Sequence, residues 1–292
     1  MGTFRATRIL IQFAILTLPL MPVQAILVRV SPSAARRFPH WYHRKVCQLL
    51  GLTLNIEGQV AAGQPVLLVC NHTSWLDIPV LSAVAPLSFI AKKEVSGWPF
   101  VASLARLQQT VFIDRNRRQS AGEATHDIVR KLLRGDTVVL FAEGTSSDGN
   151  RVLPFKTSLF GVAEHLNGQA QGADVAVQTA AIVYTHVHGL PLGRAGRPKV
   201  GWYGDMEMLS HAWQVLKSGP LKATVVVGPP QPVANYKDRK DMALATEREI
   251  RNAVIAIQRH KFGDEQPIPV EPGAEARRTA TVTRARSGEK WT

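Results

Sequence analysis

Val66-Leu67-Leu68-Val69-Cys70-Asn71-His72-Thr73-Ser74-Trp75-Leu76-Asp77 joins an unbroken apolar run to a polar turn. Five apolar residues in succession suit a buried strand, and Trp75, Leu76, Ile78, Pro79 and Leu81 recur with an apolar period after the turn. The stretch reads as strand, polar turn, helix. His72 falls at the turn, Thr73 and Ser74 are good helix N-cap residues, and Asp77 in the first helical turn is close enough to reach back toward the imidazole. A histidine held by a carboxylate can take a proton from a hydroxyl near neutral pH, and the acid stabilises the imidazolium that results. On these residues alone, a helix start with a capping histidine and a surface aspartate is an equal alternative.

Outward from this stretch, β-rich runs alternate with helical patterns. Val66–Cys70, Leu87–Ala91, Thr110–Ile113, Thr137–Phe141, Ala176–Tyr184, Val200–Tyr203 and Ala223–Val227 read as strands. Trp75–Val84, Pro99–Arg106, Arg118–Leu133, Ser158–Leu166, Leu209–Leu216 and Met242–His260 read as helices. The alternation implies an α/β layered domain with a largely parallel or mixed sheet flanked by helices. His72, Asp114 and Glu143 each lie just past a strand end, where such sheets gather ligands.

The 292 residues fit one large domain with appendages or two small ones, with 45% hydrophobic and 20% charged residues. Lys and Arg number 35 against 22 Asp and Glu, a formal charge of +13 that favours a polyanionic partner, either nucleic acid or the anionic face of a membrane. With only Cys47 and Cys70, no disulfide framework is written, and a reducing compartment is expected. No metal-ligand spacing and no phosphate-binding Gly-rich loop stands out, so no metal is assigned; His186-Val187-His188 reads as strand residues facing opposite ways.

Ile9 to Val28 carries no charge and is long enough to make a helix of roughly 30 Å. Pro19 and Pro22 interrupt it, Gln12 and Gln24 dilute it, and Val23-Gln24-Ala25 resembles a signal-peptidase site. The favoured reading is a kinked or re-entrant membrane anchor, ahead of a spanning helix or a cleaved signal. Arg5 and Arg8 precede the run, and Arg29, Arg36, Arg37, Arg44 and Lys45 follow it, which argues for a catalytic domain on the cytoplasmic side of the membrane. Phe38–Leu52 looks like an amphipathic helix whose His40, Trp41, Tyr42 and His43 suit either the membrane interface or packing on the domain. Residues 1–52 are thus expected to anchor, 53–262 to form the catalytic domain, and 263–292, rich in Pro, Glu, Arg, Thr and Gly, to be a disordered tail.

Two further blocks carry chemistry. Phe112-Ile113-Asp114-Arg115 ends a strand in an acid and an arginine, a fork of donors suited to phosphate or carboxylate. Phe141-Ala142-Glu143-Gly144-Thr145 ends another in a small-residue loop where Gly144 would let backbone amides approach an oxygen. Singly, each is also readable as a surface charge or a plain turn.

With Asn71–Asp77, these blocks resemble the glycerolipid acyltransferase family, whose hallmarks are N-H-x4-D, F-I-D-R-like and F-x-E-G-T-like blocks in that order. The resemblance covers roughly Val66 to Val227 and implies transfer of a fatty acyl group from an acyl-carrier-protein or coenzyme A thioester to a lipid hydroxyl, with no bound cofactor. It implies His72 as general base and Asp77 as the acid that holds its tautomer, with Arg115, Glu143, Gly144 and Thr145 at the acceptor headgroup. Ser74 is then a cap rather than a nucleophile. The sequence departs from the common pattern at Ala142, where proline is usual, at Ser146, where arginine is usual, and on Val177–Ile182, which lacks a proline. Losing that arginine weakens the case for a phosphate-bearing acceptor such as lysophosphatidic acid. Phe141–Lys156, Gly189–Arg194 and Trp202–Met206 look like the bacterial branch that acylates lyso-ornithine lipid, for whose amines Asp148 or Asp205 is available. The expected partners are therefore the thioester donor, a lysolipid and the anionic inner leaflet, not nucleic acid. Three other readings compete: a 1-acyl-glycerol-3-phosphate acyltransferase of phospholipid synthesis, a hydrolase activating water with His72 and Asp77, and a non-catalytic basic protein binding membrane or nucleic acid by charge.

Overall fold

β2 (Val66–Cys70) is central because both its faces find apolar partners. The computed structural model describes residues 2–114, 118–167 and 175–259. β2 pairs in parallel with β5 (Thr137–Phe141) on one side and β6 (Ala176–Val187) on the other, so that Cys70 is level with Phe141 and Ala180. Outward from β5 lie β3 (Ser88–Lys92) and β4 (Val111–Ile113), both parallel. Beyond β6 lie β8 (Leu221–Val227), antiparallel to it, and β1 (Leu52–Glu57), parallel to β8. The order is β1-β8-β6-β2-β5-β3-β4, with short β7 (Leu190–Pro191) and β9 (Gln231–Pro232) antiparallel on β6. The mixed sheet is as the alternating pattern implies.

Strand alternation divides the core in two. Leu67 and Val69 pack with Leu132 of α5 (Arg118–Leu133), Leu166 of α6 (Gly161–Asn167) and Ile250 of α8 (Arg239–Arg259). Val66, Leu68 and Cys70 pack oppositely, with Cys47 of α2 (Pro32–Leu50), Val80 of α3 (Asp77–Val84) and Val215 of α7 (Met208–Ser218). β6 is paired on both edges at Ala180. A proline in its middle would forfeit a ladder donor, which fits the absence of proline there.

Three sequence expectations change. The helix expected over Phe38–Leu52 begins at Pro32, runs through Pro39 and ends at Gly51, whose φ of 71° is the left-handed turn that stops it. Leu52 instead opens β1, whose apolar-polar alternation Leu52-Thr53-Leu54-Asn55-Ile56-Glu57 is that of a half-buried strand. Val200–Tyr203 is not a strand: it follows a 3-10 turn at Arg197–Lys199 and runs as an irregular loop whose Trp202 N–H donates to Thr73 O.

The apolar segment forms one continuous helix, α1 (Gly2–Val30), through Pro19 and Pro22. Interior prolines cost a helix about 3 kcal/mol each, so packing has to hold this one together. Its polar residues do so: Arg5 donates to Leu50 O and Leu216 O, Thr17 pairs with the Tyr42 hydroxyl, and Gln24 Nε2 donates to Ala35 O and Leu107 O, the last in α4 (Val101–Leu107). The opposite face presents Phe4, Ile11, Ile15, Leu18, Ile26 and Val30 to the outside as one exposed apolar stripe. Tyr42 and His43 are packed inward, His40 bonds Ser82 O, and Trp41 is exposed.

Candidate active site

The site is assembled at the carboxyl ends of β2, β5 and β6. Just beyond β2, the Asn71 side chain continues the strand pairing: its Nδ2 donates to Ile182 O at 2.9 Å and its Oδ1 accepts from Ile182 N–H at 2.8 Å. The turn that follows cannot join the sheet, so each of its buried polar groups needs another partner. The His72 N–H donates to Glu143 Oε1 at 2.8 Å, and the His72 carbonyl accepts from Ser147 N–H at 2.9 Å. The Thr73 carbonyl accepts from Trp202 N–H at 2.8 Å. Two loops, one after β5 and one carrying Trp202, thereby clamp one turn.

Asp77 opens α3 and is fully buried. Its carboxylate reaches back: Oδ2 accepts from His72 Nδ1 at 2.7 Å, Thr73 N–H at 2.7 Å and Ser74 N–H at 3.0 Å. The N-cap expectation is therefore reversed. Thr73 and Ser74 do not cap α3 with their hydroxyls; Leu76 occupies the cap position, and the Asp77 side chain organises the turn. Ser74 Oγ is buried with no hydrogen-bond partner.

A carboxylate on Nδ1 fixes the tautomer in which Nδ1 carries the proton, leaving Nε2 as the basic nitrogen. The imidazole also stacks on Phe141, with centroids 4.1 Å apart and planes 20° apart, and Phe141 stacks in turn on Phe89. The ring is thus held at its edge by Asp77 and on its face by Phe141. The His72 side chain retains 18% exposure, whereas that of Asp77 retains none. The arrangement leaves the imidazole partly exposed with its orienting carboxylate sealed beneath.

Glu143 sits next to His72 but faces inward. Its Oε1 is taken by His72 N–H and its Oε2 by Leu153 N–H at 2.8 Å. Burial pushes this carboxyl up to about 8 against the pull of those two bonds, with Asp77 raising it further and Arg251 lowering it. Each oxygen thus accepts one backbone N–H, and Glu143 fastens the His72 turn to the following loop. Gly144 is buried with φ of 72°, and its N–H turns back to Phe141 O at 3.1 Å, away from any incoming oxygen. Thr145 is exposed at the rim. Arg115 lies outside the described residues; Asp114 before it pairs with Lys93 at 3.2 Å.

Ser146, standing where arginine is common, donates its hydroxyl to Trp202 O. Asp148 accepts from Asn150 N–H and Asn150 Nδ2, each at 3.0 Å. The Trp202 ring meets Trp98 edge to face, with centroids 6.0 Å apart. Sequence reasoning missed Phe141, Ser147, Tyr184 and Trp202 as neighbours of His72. Phe141 and Ser147 lie in the third block and the small-residue loop after it, Trp202 opens another of the quoted stretches, and Tyr184 lies on an apolar strand.

Residues 52–183 match the acyltransferase family. Among curated proteins, the lyso-ornithine lipid O-acyltransferase of Brucella abortus is 46% identical over 86% of this chain and 94% of its own. That of Rhizobium meliloti is 42% identical over 80% of each. The 1-acyl-sn-glycerol-3-phosphate acyltransferase of Neisseria gonorrhoeae is 34% identical over 71% of this chain and 77% of its own. The crystal structure of the 1-acyl-sn-glycerophosphate (LPA) acyltransferase PlsC from Thermotoga maritima shares the fold, with a TM-score of 0.65 at 20% identity, covering 89% of this chain and 96% of that one.

Proposed function

This chain belongs to the acyltransferase family, and from that footing we propose that it moves a fatty acyl group from an acyl-carrier-protein or coenzyme A thioester to the free hydroxyl of lyso-ornithine lipid. The observation that carries the chemistry is the 2.7 Å contact of His72 Nδ1 with Asp77 Oδ2, which leaves Nε2 as the base. In this reading Nε2 takes the hydroxyl proton as the oxygen attacks the thioester carbonyl. The tetrahedral adduct then collapses, the C–S bond breaks, and the thiolate leaves with the proton returned by the imidazolium. No covalent acyl-enzyme is needed, which agrees with the burial of Ser74.

Two features support lyso-ornithine lipid over a phosphate-bearing acceptor. The more similar relatives carry that name, and the position where arginine is common holds Ser146, whose hydroxyl is committed to Trp202 O. The exposed stripe of α1 would seat the protein on the anionic leaflet. The deciding experiment mixes purified protein with an acyl-carrier-protein thioester and either lyso-ornithine lipid or lysophosphatidic acid, alongside His72→Ala. The expected result is acylated ornithine lipid from the unaltered protein and a loss of about 10²- to 10⁴-fold in the variant. Acylation of lysophosphatidic acid alone would overturn the acceptor, and release of free fatty acid would make it a hydrolase.

A further inference from the structure

We infer that Tyr184 is a positioning residue of the acyl-transfer site, acting on His72 through Asp77. Its hydroxyl, on the last buried turn of strand β6, donates to Asp77 Oδ1 at 2.7 Å. Asp77 Oδ2 already accepts from His72 Nδ1, Thr73 N–H and Ser74 N–H, so Tyr184 alone holds the second oxygen among these contacts. Without it, a fully buried carboxylate oxygen would face an apolar wall, since Tyr184 lies in the core with Leu68, Leu81, Ile182 and Val225.

The arrangement has a direction. A carboxylate gripped by four donors is fixed in place and so orients the imidazole through Nδ1. Each donor on Asp77 shares the charge that the His72 contact would otherwise face. Tyr184 is the one donor of the four that does not belong to the catalytic turn, so it also fixes the turn relative to the sheet. The titratable groups around it are Asp77, Cys47 of α2 and Cys70 of β2, with Glu143 beyond Cys70; burial first, and then Asp77, hold the Tyr184 phenol well above its usual range. Both thiols are likewise pushed up by burial, Cys47 to about 12, so neither ionises alongside the histidine.

The inference rests on the acyl-transfer reading for its kinetic consequence but not for its geometry, and the test separates the two. Full-length protein in detergent micelles, labelled with ¹⁵N-histidine, is titrated by NMR as the unaltered chain, Tyr184→Phe and His72→Ala, and the acid limb of kcat is followed in parallel. For Tyr184→Phe we expect the His72 titration and the acid limb to move together to higher pH, by roughly half a unit to one unit. We also expect kcat to fall about tenfold, with KM for lysolipid within twofold. An unmoved His72 titration in a folded Tyr184→Phe protein overturns the inference, whatever the substrate proves to be. Free fatty acid in place of acylated lipid from the unaltered protein overturns the acyl-transfer reading, and transfer that survives in His72→Ala overturns His72 as its base; either leaves the titration result to judge Tyr184. If Tyr184→Phe does not fold, 3-fluorotyrosine at 184 keeps the shape and strengthens the donor. The titration must then move to lower pH, and its failure to do so counts against the inference equally.

Discussion

The side chain of Asn71 and the backbone of Ile182 form a closed two-way pair, one bond given at 2.9 Å and one received at 2.8 Å. This pair extends the β2–β6 ladder beyond Cys70 and sets where the His72 turn begins. Asn71→Ala leaves both Ile182 groups buried and unpaired, so we expect a loss of about 1–3 kcal/mol in urea unfolding. Asn71→Asp should be at least as damaging, because it sets an acceptor against Ile182 O. An alanine variant within about 0.5 kcal/mol of the parent would mean that the turn is held without the pair.

Glu143 predicts a pH signature. Its carboxyl stands at about 8 in the folded chain against 4.5 when unfolded. Below 4.5 both states hold the proton. Between 4.5 and about 8 the unfolded chain ionises first, so stability falls as pH rises, by at most about 1.4 kcal/mol per unit. Glu143→Gln removes this component, and the difference in urea midpoint between variant and parent should change steadily across that window and level off above it. A constant difference from pH 5 to pH 8 would count against a protonated Glu143.

Phe141 carries both the ring stack and part of the core. Phe141→Ala should cost about 3–5 kcal/mol through the cavity it opens. Phe141→Leu keeps most of the volume and should chiefly lower kcat, because the imidazole loses a stack worth about 0.5–1.5 kcal/mol. Initial rates and thermal unfolding measured on the same preparations separate the two effects.

Ile15 and Leu18 are 69% and 58% exposed, so their replacement by aspartate removes little packing. The double change should leave urea stability within about 0.5 kcal/mol. Binding to vesicles containing anionic lipid, read by co-sedimentation, should weaken by at least about a hundredfold if each side chain contributes about 1.5 kcal/mol on insertion. Undiminished sedimentation would place the membrane contact elsewhere.

The spacing of His72 and Asp77 made their contact legible, since both belong to one turn. The partners of that turn were not, because they arrive from strands fixed only by sheet order. Tyr184 lies 107 positions after Asp77, and Ile182 lies 111 after Asn71. Nothing local states that β6 and β5 flank β2. The clue available was a tyrosine on the buried face of an apolar strand, whose hydroxyl had to find a partner. Val200–Tyr203 misled for the opposite reason: its composition is that of a strand, yet Trp202 spends its backbone N–H on Thr73 and its carbonyl on Ser146. Glu143 was recognisable as a site residue, but its inward orientation depended on Leu153 N–H, which only the folded loop supplies.

Arg5 caps the carboxyl-terminal ends of α2 and α7 at once, through Leu50 O and Leu216 O, while Ala6 and Ile9 pack on Leu216 beside it. The amino-terminal helix is therefore not a detachable handle. Trimming it to ease purification would bare Leu49, Leu50, Trp213 and Leu216 and leave two helix dipoles without their cation. It also means that no slack leash joins α1 to the rest of the chain: with α1 seated on lipid as proposed, the tilt and depth of His72 would be set by a rigid bracket, like the blade angle of a plane.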